Sequence, residues 1–308
     1  MGFFIVLKIV LTMMAYLLCG YAIVKSGRAD TSHAKSMSTL LIYICGPCMV
    51  INAFLNMQCT RANNISILSF FLVTMALQAA FFGIVYFFIR KKISDPKYRI
   101  LSIGGVLGNV GFFGLPLVTG LFPSEPVVGG YSSIYVMSMN IIVFSIGVFM
   151  ITGDRKYMSL RAIICNPTTI AIFIAMPLYI LGVQLPTAAA DGVSLMGKMT
   201  TPLCMIVLGM RLASSDLKAV FTRPFAYVAS ALKLLAYPLF AYLAVLFMPW
   251  FDNTFKICIL VLSAAPTGAI VLSLSEIHEC EQELSANVVL LTTLLSVITA
   301  PLIMMFVV

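Results

Sequence analysis

The chain has 308 residues, of which 61% are hydrophobic and only 10% charged, with a formal net charge of +8. Soluble domains carry about 25% charged residues, so this composition excludes a water-soluble globular protein. The positive balance does not indicate nucleic acid either, because Lys and Arg are dispersed along the chain and form no patch.

Crossing the hydrocarbon core of a bilayer takes roughly 20 apolar residues in helical form. Such runs lie near 3–24, 37–57, 65–89, 98–122, 131–152, 162–182, 193–212, 224–248, 254–276 and 284–308. The connections are too short for a soluble domain, which predicts a single transmembrane domain over 1–308. The first run is too long for a cleaved leader and no small-residue cleavage site follows it, so it reads as a retained helix. The second run holds Cys45-Gly-Pro-Cys48 and Asn52. The cysteine spacing copies a redox motif, but it lies inside LLIYICGPCMVIN, where Cys serves as a small apolar residue and Pro47 as a kink. The third run carries Gln78, the fifth Asn140 and the eighth Lys233.

Lys25, Arg28 and Lys35 follow the first run. Arg90 to Arg99 follow the third, Arg155 to Arg161 the fifth, and Arg211 to Arg223 the seventh. Basic connections therefore alternate with poorly charged ones. Lys and Arg excess marks the cytoplasmic face, which predicts both termini outside a plasma membrane of the bacterial type. Glu276, Glu279, Glu281 and Glu283 break the trend, but acidic residues carry little topological weight.

Five runs lie in 1–152 and five in 162–308, so a duplicated unit must insert its second copy upside down. One common offset aligns Gly27 with Gly182, Pro47 with Pro202, Gln78 with Lys233 and Gly111 with Pro266. The expected fold is an all-α membrane protein of ten transmembrane helices in two inverted five-helix repeats.

Two runs are interrupted at their middles. Residues 101–124 read LSIGGVLGNVGFFGLPLVTGLFPS, and the ninth run contains Ser263-Ala-Ala-Pro266-Thr267-Gly268. Backbone groups freed inside hydrocarbon must find partners in the protein, so such breaks survive where they line a cavity or are covered. The half-helix that follows a break begins with unpaired N–H groups and a positive dipole end, which attract anions. Pro116 and Pro266 suit the first turn of the second halves, where a missing N–H costs nothing. Gly111, Gly114 and Gly268 permit unusual backbone geometry and close approach of a ligand. Asn109 can bond a carboxylate or the carbonyls of the opposing break. The alternative is that the spaced glycines form only a small-residue packing face.

Lys233 lies nine residues after Pro224, roughly 13 Å along a helix at 1.5 Å per residue, and so near mid-membrane. A charge there faces a cavity or a partner. Either it meets substrate or carries a coupled proton, or it bonds carbonyls freed at a helix crossing. Gln78 would line the same region from the third run. Asn52 and Asn140 are further intramembrane amides, and such a residue is more often an interhelical bond than a ligand.

The stretch Gly108-Asn109-Val-Gly111-Phe-Phe-Gly114-Leu-Pro116-Leu resembles the auxin efflux carrier family, as do Ser263-Ala-Ala-Pro266-Thr267-Gly268-Ala and the start of the last run at Glu283-Leu-Ser-Ala-Asn. The family includes plant PIN exporters and bacterial permeases, and the resemblance covers essentially the whole chain. It implies broken fourth and ninth helices that cross at the prolines, a homodimer, and alternating-access transport of small organic anions such as indole-3-acetate, malate or malonate. Plant members often carry an asparagine near each crossing. This chain has Asn109 at the first but Ser263 and Thr267 at the second, so an asparagine pair does not carry over. The long loop between helices five and six is absent, which points to the compact bacterial-type permease.

The expected substrate site therefore comprises Asn109, Gly111, Gly114, Pro116, Ser263, Pro266, Thr267, Gly268, Lys233, Gln78, Asn52 and Asn140. The expected partners are a small organic anion and the bilayer. No metal, cofactor or nucleic acid is expected. Glu276, His278, Glu279 and Glu281 are metal-ligand types without metal-ligand spacing and read as a solvated turn. Mid-span carboxylates are missing, which disfavours a sodium-coupled symporter of the same architecture. Potential-driven movement is sufficient by itself, since an anion gains about 2.3 kcal/mol per charge per 100 mV; proton coupling through Lys233 is the other route. A membrane-embedded enzyme would need catalytic acids or a nucleophile within the runs, and none is arranged that way.

Overall fold

The computed structural model of the protein describes residues 2–305. The described residues are helical almost throughout. Among the described residues, seven helices are long and apolar enough to cross a membrane: α1 (Gly2–Lys25), α2 (His33–Leu55), α3 (Arg61–Ile89), α6 (Val127–Thr152), α8 (Thr187–Ser214), α9 (Pro224–Leu246) and α12 (Gln282–Met304). Shorter apolar helices complete the set: α5 (Val110–Leu121), α7 (Pro167–Ile180) and α10 (Asn253–Ser263). The segments α4 (Pro96–Gly104) and α11 (Ala269–Ile277) are the companion halves of α5 and α10. The expected tenth run reaches 308, and its last three residues lie outside those described.

Local chemistry explains the boundaries. Thr60, Asp95, Asn166 and Asp252 each accept a hydrogen bond from a backbone N–H in the first turn of the helix they precede. Each of these satisfies one of the donors that a helix start leaves unpaired. Prolines at the first turns of α4, α7 and α9 add a fixed φ where no N–H is missed. Gly27 and Gly182 sit at φ of 71° and 63°, so the left-handed turns after α1 and α7 require glycine.

The helices sort into two groups by packing. Helix α2 lies against α7 and α8, and α1 against the second half of α8. The α1–α8 contact is backbone on backbone: a Cβ on Gly20 would stand 2.0 Å from the Ile206 carbonyl, and one on Gly209 1.9 Å from that of Leu17. Small residues at a crossing let helices approach in lipid, where hydrophobic association gives no drive. In the second group α3 packs on α6 and α9 on α12, with the broken segments α4–α5 and α10–α11 between them.

The breaks meet. Gly108 and Thr267 form an antiparallel bridge, in which the Asn109 N–H donates to the Pro266 carbonyl at 2.7 Å and the Gly268 N–H to that of Leu107 at 3.0 Å. Each break thus supplies the partners that the other lacks, as the hydrocarbon environment demands.

The expected role of the two prolines is corrected by this geometry. The second halves begin at Val110 and Ala269, so neither Pro116 nor Pro266 starts one. Pro266 lies in the gap itself and contributes its carbonyl. Pro116 lies inside α5, just after a π-helical turn over Val110–Gly114. Its ring cannot donate to the Phe112 carbonyl four residues back, and the Thr201 hydroxyl donates there instead at 2.9 Å. A proline in mid-helix is tolerated because a side chain from α8 replaces the missing bond.

Candidate functional site

Beside the paired breaks lies a cavity of about 180 Å³, on the side of the molecule that carries the basic connections. Both second halves contribute their beginnings to it: Val110, Gly111 and Phe112 from α5, and Gly268, Ala269 and Ile270 around the start of α11. No side chain caps either start. Unpaired N–H groups and two positive dipole ends therefore converge on one small space. Polar side chains complete the wall. Asn109 and Asn140 come from the broken segment and α6, Asn166 and Thr168 from the start of α7, and Ser38 and Ser273 from α2 and α11.

Asn109 is 6% exposed, and its amide makes one long contact at 3.8 Å to the Cys204 sulfur. A thiol is a weak acceptor, so most of the amide's bonding capacity is unspent. Asn140 is as buried and donates to the Asn166 side chain at 3.4 Å. Asn166 also caps α7 through the Thr168 N–H.

A second, larger cavity of about 770 Å³ lies on the opposite side of the crossing, lined by α1, α2, α5 and α8. Asn52 and Pro116 belong to it, together with Lys8, Glu125, Lys198 and Thr201. Met49 lines both cavities. Phe112 lines the smaller one, and its carbonyl accepts from Thr201, which lines the larger. The septum between the two spaces is therefore about one residue thick.

The other expected residues line neither cavity. Lys233 is fully buried and donates to the Ser263 carbonyl at 2.7 Å, with its ammonium 4.7 Å from the centre of the Tyr237 ring. That carbonyl is one of the orphan acceptors at the end of α10, where a cation also suits the helix dipole. The ammonium lies 3.2 Å from where a Gly108 Cβ would stand, so Lys233 touches both breaks from behind. Thr267 donates its hydroxyl to the Gly104 carbonyl at 2.8 Å and its own N–H to the Thr292 hydroxyl at 3.1 Å. The Ser263 hydroxyl turns back onto Leu260. Gln78 is expected beside Lys233, but its amide nitrogen donates between α3 and α6, to the Ser138 hydroxyl at 2.8 Å and to the Thr74 carbonyl, while its buried Oε1 has no partner among the described residues. Gly114 is a packing position, since a Cβ there would meet Leu262 at 2.7 Å.

Several lining residues escaped the sequence reading. Cys204, Val207, Leu208 and Arg211 recur at helical spacing along one face of α8 and all line the smaller cavity. By sequence Arg211 reads only as part of a basic connection. Asn166-Pro167 is a helix-start signal, and the turn it caps happens to face the cavity. The cysteines of Cys45-Gly-Pro-Cys48 are free thiols within α2.

A model of the family described as Membrane transport protein matches residues 4–304. An uncharacterized transporter of Methanocaldococcus jannaschii is 26% identical, over 96% of this chain and 97% of its own. A second uncharacterized transporter, from Methanothermobacter thermautotrophicus, is 23% identical over 95% of each chain. With its apolar helices and a match that spans nearly its whole length, the chain is a multi-pass membrane protein of the membrane transport protein family, to which the auxin efflux carriers resembled by its 108–117 motif belong.

Proposed function

We propose that the protein is a secondary carrier for a small organic anion, and that the anion binds in the smaller cavity against Asn109 and the starts of α5 and α11. The observation that carries this reading is the pairing of two broken segments whose helix starts converge on one polar space. Among the described residues lining that space, no Asp or Glu occurs and the one charged side chain is Arg211. A carboxylate would be favoured there and a metal cation would not. Gly111, Gly268 and Asn140 complete the proposed site, Asn52 and Pro116 belong to the outer approach, Gly114, Ser263, Pro266, Thr267 and Lys233 hold the crossing in shape, and Gln78 ties α3 to α6.

Two cavities on opposite sides of a thin septum suit alternating access. The inverted repeat of 1–152 and 162–308, with ten crossings, accounts for the packing. Contact of α1 with α8 mirrors that of α7 with α2, and contact of α3 with α6 mirrors that of α9 with α12. Gly27 and Gly182, matched by the repeat, share the left-handed turn conformation. In this reading the α4–α5 and α10–α11 pairs each cross once, the basic connections face the cytoplasm, and the smaller cavity faces inward. Transport follows the membrane potential or a proton gradient.

The test is counterflow in liposomes with radiolabelled malonate, malate and indole-3-acetate, alongside the neutral malonamide. The expected result is saturable exchange of a carboxylate, with affinity about tenfold weaker in Asn109→Ala at unchanged folded yield. Equal exchange by wild type and Asn109→Ala would remove the site.

A further inference from the structure

Arg211 is the one full charge on the wall of the smaller cavity among the described residues. Its side chain is 29% exposed and makes a single contact, Nη1 to Glu276 Oε1 at 3.1 Å. A guanidinium has five N–H donors in a planar fork, and one is used. Glu276 is 46% exposed, and an ion pair this wet is weak. A carboxylate taken from inside the cavity would bond the same fork in a drier place, with two parallel bonds in place of one. The position also matters. Arg211 is on α8, seven residues beyond Cys204, whose sulfur contacts Asn109, so the two lie about 10 Å apart along one helix face. Glu276 is on α11, the second half of a broken segment. Among the four salt bridges of the described residues, this one joins the α1, α2, α7, α8 group to the other helices.

We infer that Arg211 is an anion-binding side chain of this cavity, that Glu276 occupies it in the unliganded form, and that an arriving carboxylate displaces Glu276 and so unties α8 from α11. This rests on the carrier reading above and names the group that would select for charge. The ligand class is a small carboxylate with at least one ionised group. Its neutral amide would leave the Arg211–Glu276 pair in place.

The experiment is a binding titration of the purified full chain, following the rise in unfolding temperature with malonate, malate, indole-3-acetate and malonamide. Opposite signs are expected from the two partners. Arg211→Gln should weaken carboxylate binding by about tenfold or more, and Glu276→Gln should tighten it by roughly threefold to tenfold, as loss of a competitor for a charge-assisted bond requires. Arg211→Lys should fall between wild type and Arg211→Gln. Glu283→Gln breaks the exposed pair with Arg223 and should leave affinity within about twofold. If Arg211→Gln and Glu276→Gln weaken binding alike, the pair is only a structural tie and the inference fails. It fails also if Arg211→Gln binds as wild type does. A wild-type chain that none of the carboxylates stabilises overturns the carrier reading itself, a result separate from either of these.

Discussion

The two breaks share a main-chain pairing, yet their side chains do opposite things. The first turns Asn109 into the cavity with its amide almost uncommitted. At the second, Thr267 is spent on Gly104 and Thr292, and the Ser263 carbonyl is spent on Lys233. What the second break offers the cavity is backbone alone, at Gly268 and the start of α11. The first break thus presents a side chain and a helix start, and the second a helix start alone. The two breaks need not be chemically alike, because a ligand can be met by an amide at one and by helix starts at both.

Substitutions can separate these roles. The largest effect is expected at Gly268, where a Cβ would stand 2.9 Å from the Gly108 carbonyl oxygen, a backbone atom that cannot yield without parting the bridge. Gly268→Val should abolish counterflow and lower the yield of folded protein on size exclusion. Gly111→Ala meets only the ends of Val136 and Met49, at 3.2 and 3.4 Å, and should keep most of its flux. If the two glycine variants behave alike, the close approach of the breaks is not what Gly268 is for. Next comes Lys233→Met, which leaves the Ser263 carbonyl without its donor. An orphaned buried acceptor costs roughly 1–3 kcal/mol, so unfolding temperature and flux should fall together.

Asn109→Ala and Thr267→Val form the sharpest contrast. The first should weaken carboxylate binding about tenfold with little change in stability, since the amide holds nothing strongly. The second should lower stability by roughly 1 kcal/mol and leave affinity nearly as it was. A reversal, with Thr267→Val losing affinity at full stability, would move the ligand to the second break. The smallest effect belongs to Pro116→Ala, which restores an N–H able to compete with Thr201 for the Phe112 carbonyl. It should raise thermal stability by less than about 1 kcal/mol while slowing counterflow, and an unchanged rate would make the proline a packing residue only.

Much of the framework was legible in the residues. Runs of apolar side chains marked the helices, because hydrocarbon tolerates few alternatives to a long helix. An amide, spaced glycines and a proline inside such runs marked both breaks for the same reason. The prolines misled in detail. Proline is favoured where a helix starts, but a π-turn and a hydroxyl from another helix let Pro116 sit further in, and Pro266 fell in the gap.

The identity of the cavity wall was a different matter. Lys233 reads from sequence either as a binding residue or as a donor to carbonyls freed at a crossing, and it sits buried against the crossing, while Arg211 reads as a topological marker and lines the cavity. Spacing along a helix says which residues share a face. In a chain where nearly every face is apolar, it does not say which face meets a partner helix, lipid or an open space. The sequence by itself determined where the helices run, where they fail and that the protein crosses a membrane. Only tertiary packing decided which polar groups are consumed in closing the breaks and which are left to meet a ligand, because that depends on which orphaned carbonyls lie within 3 Å of which donors.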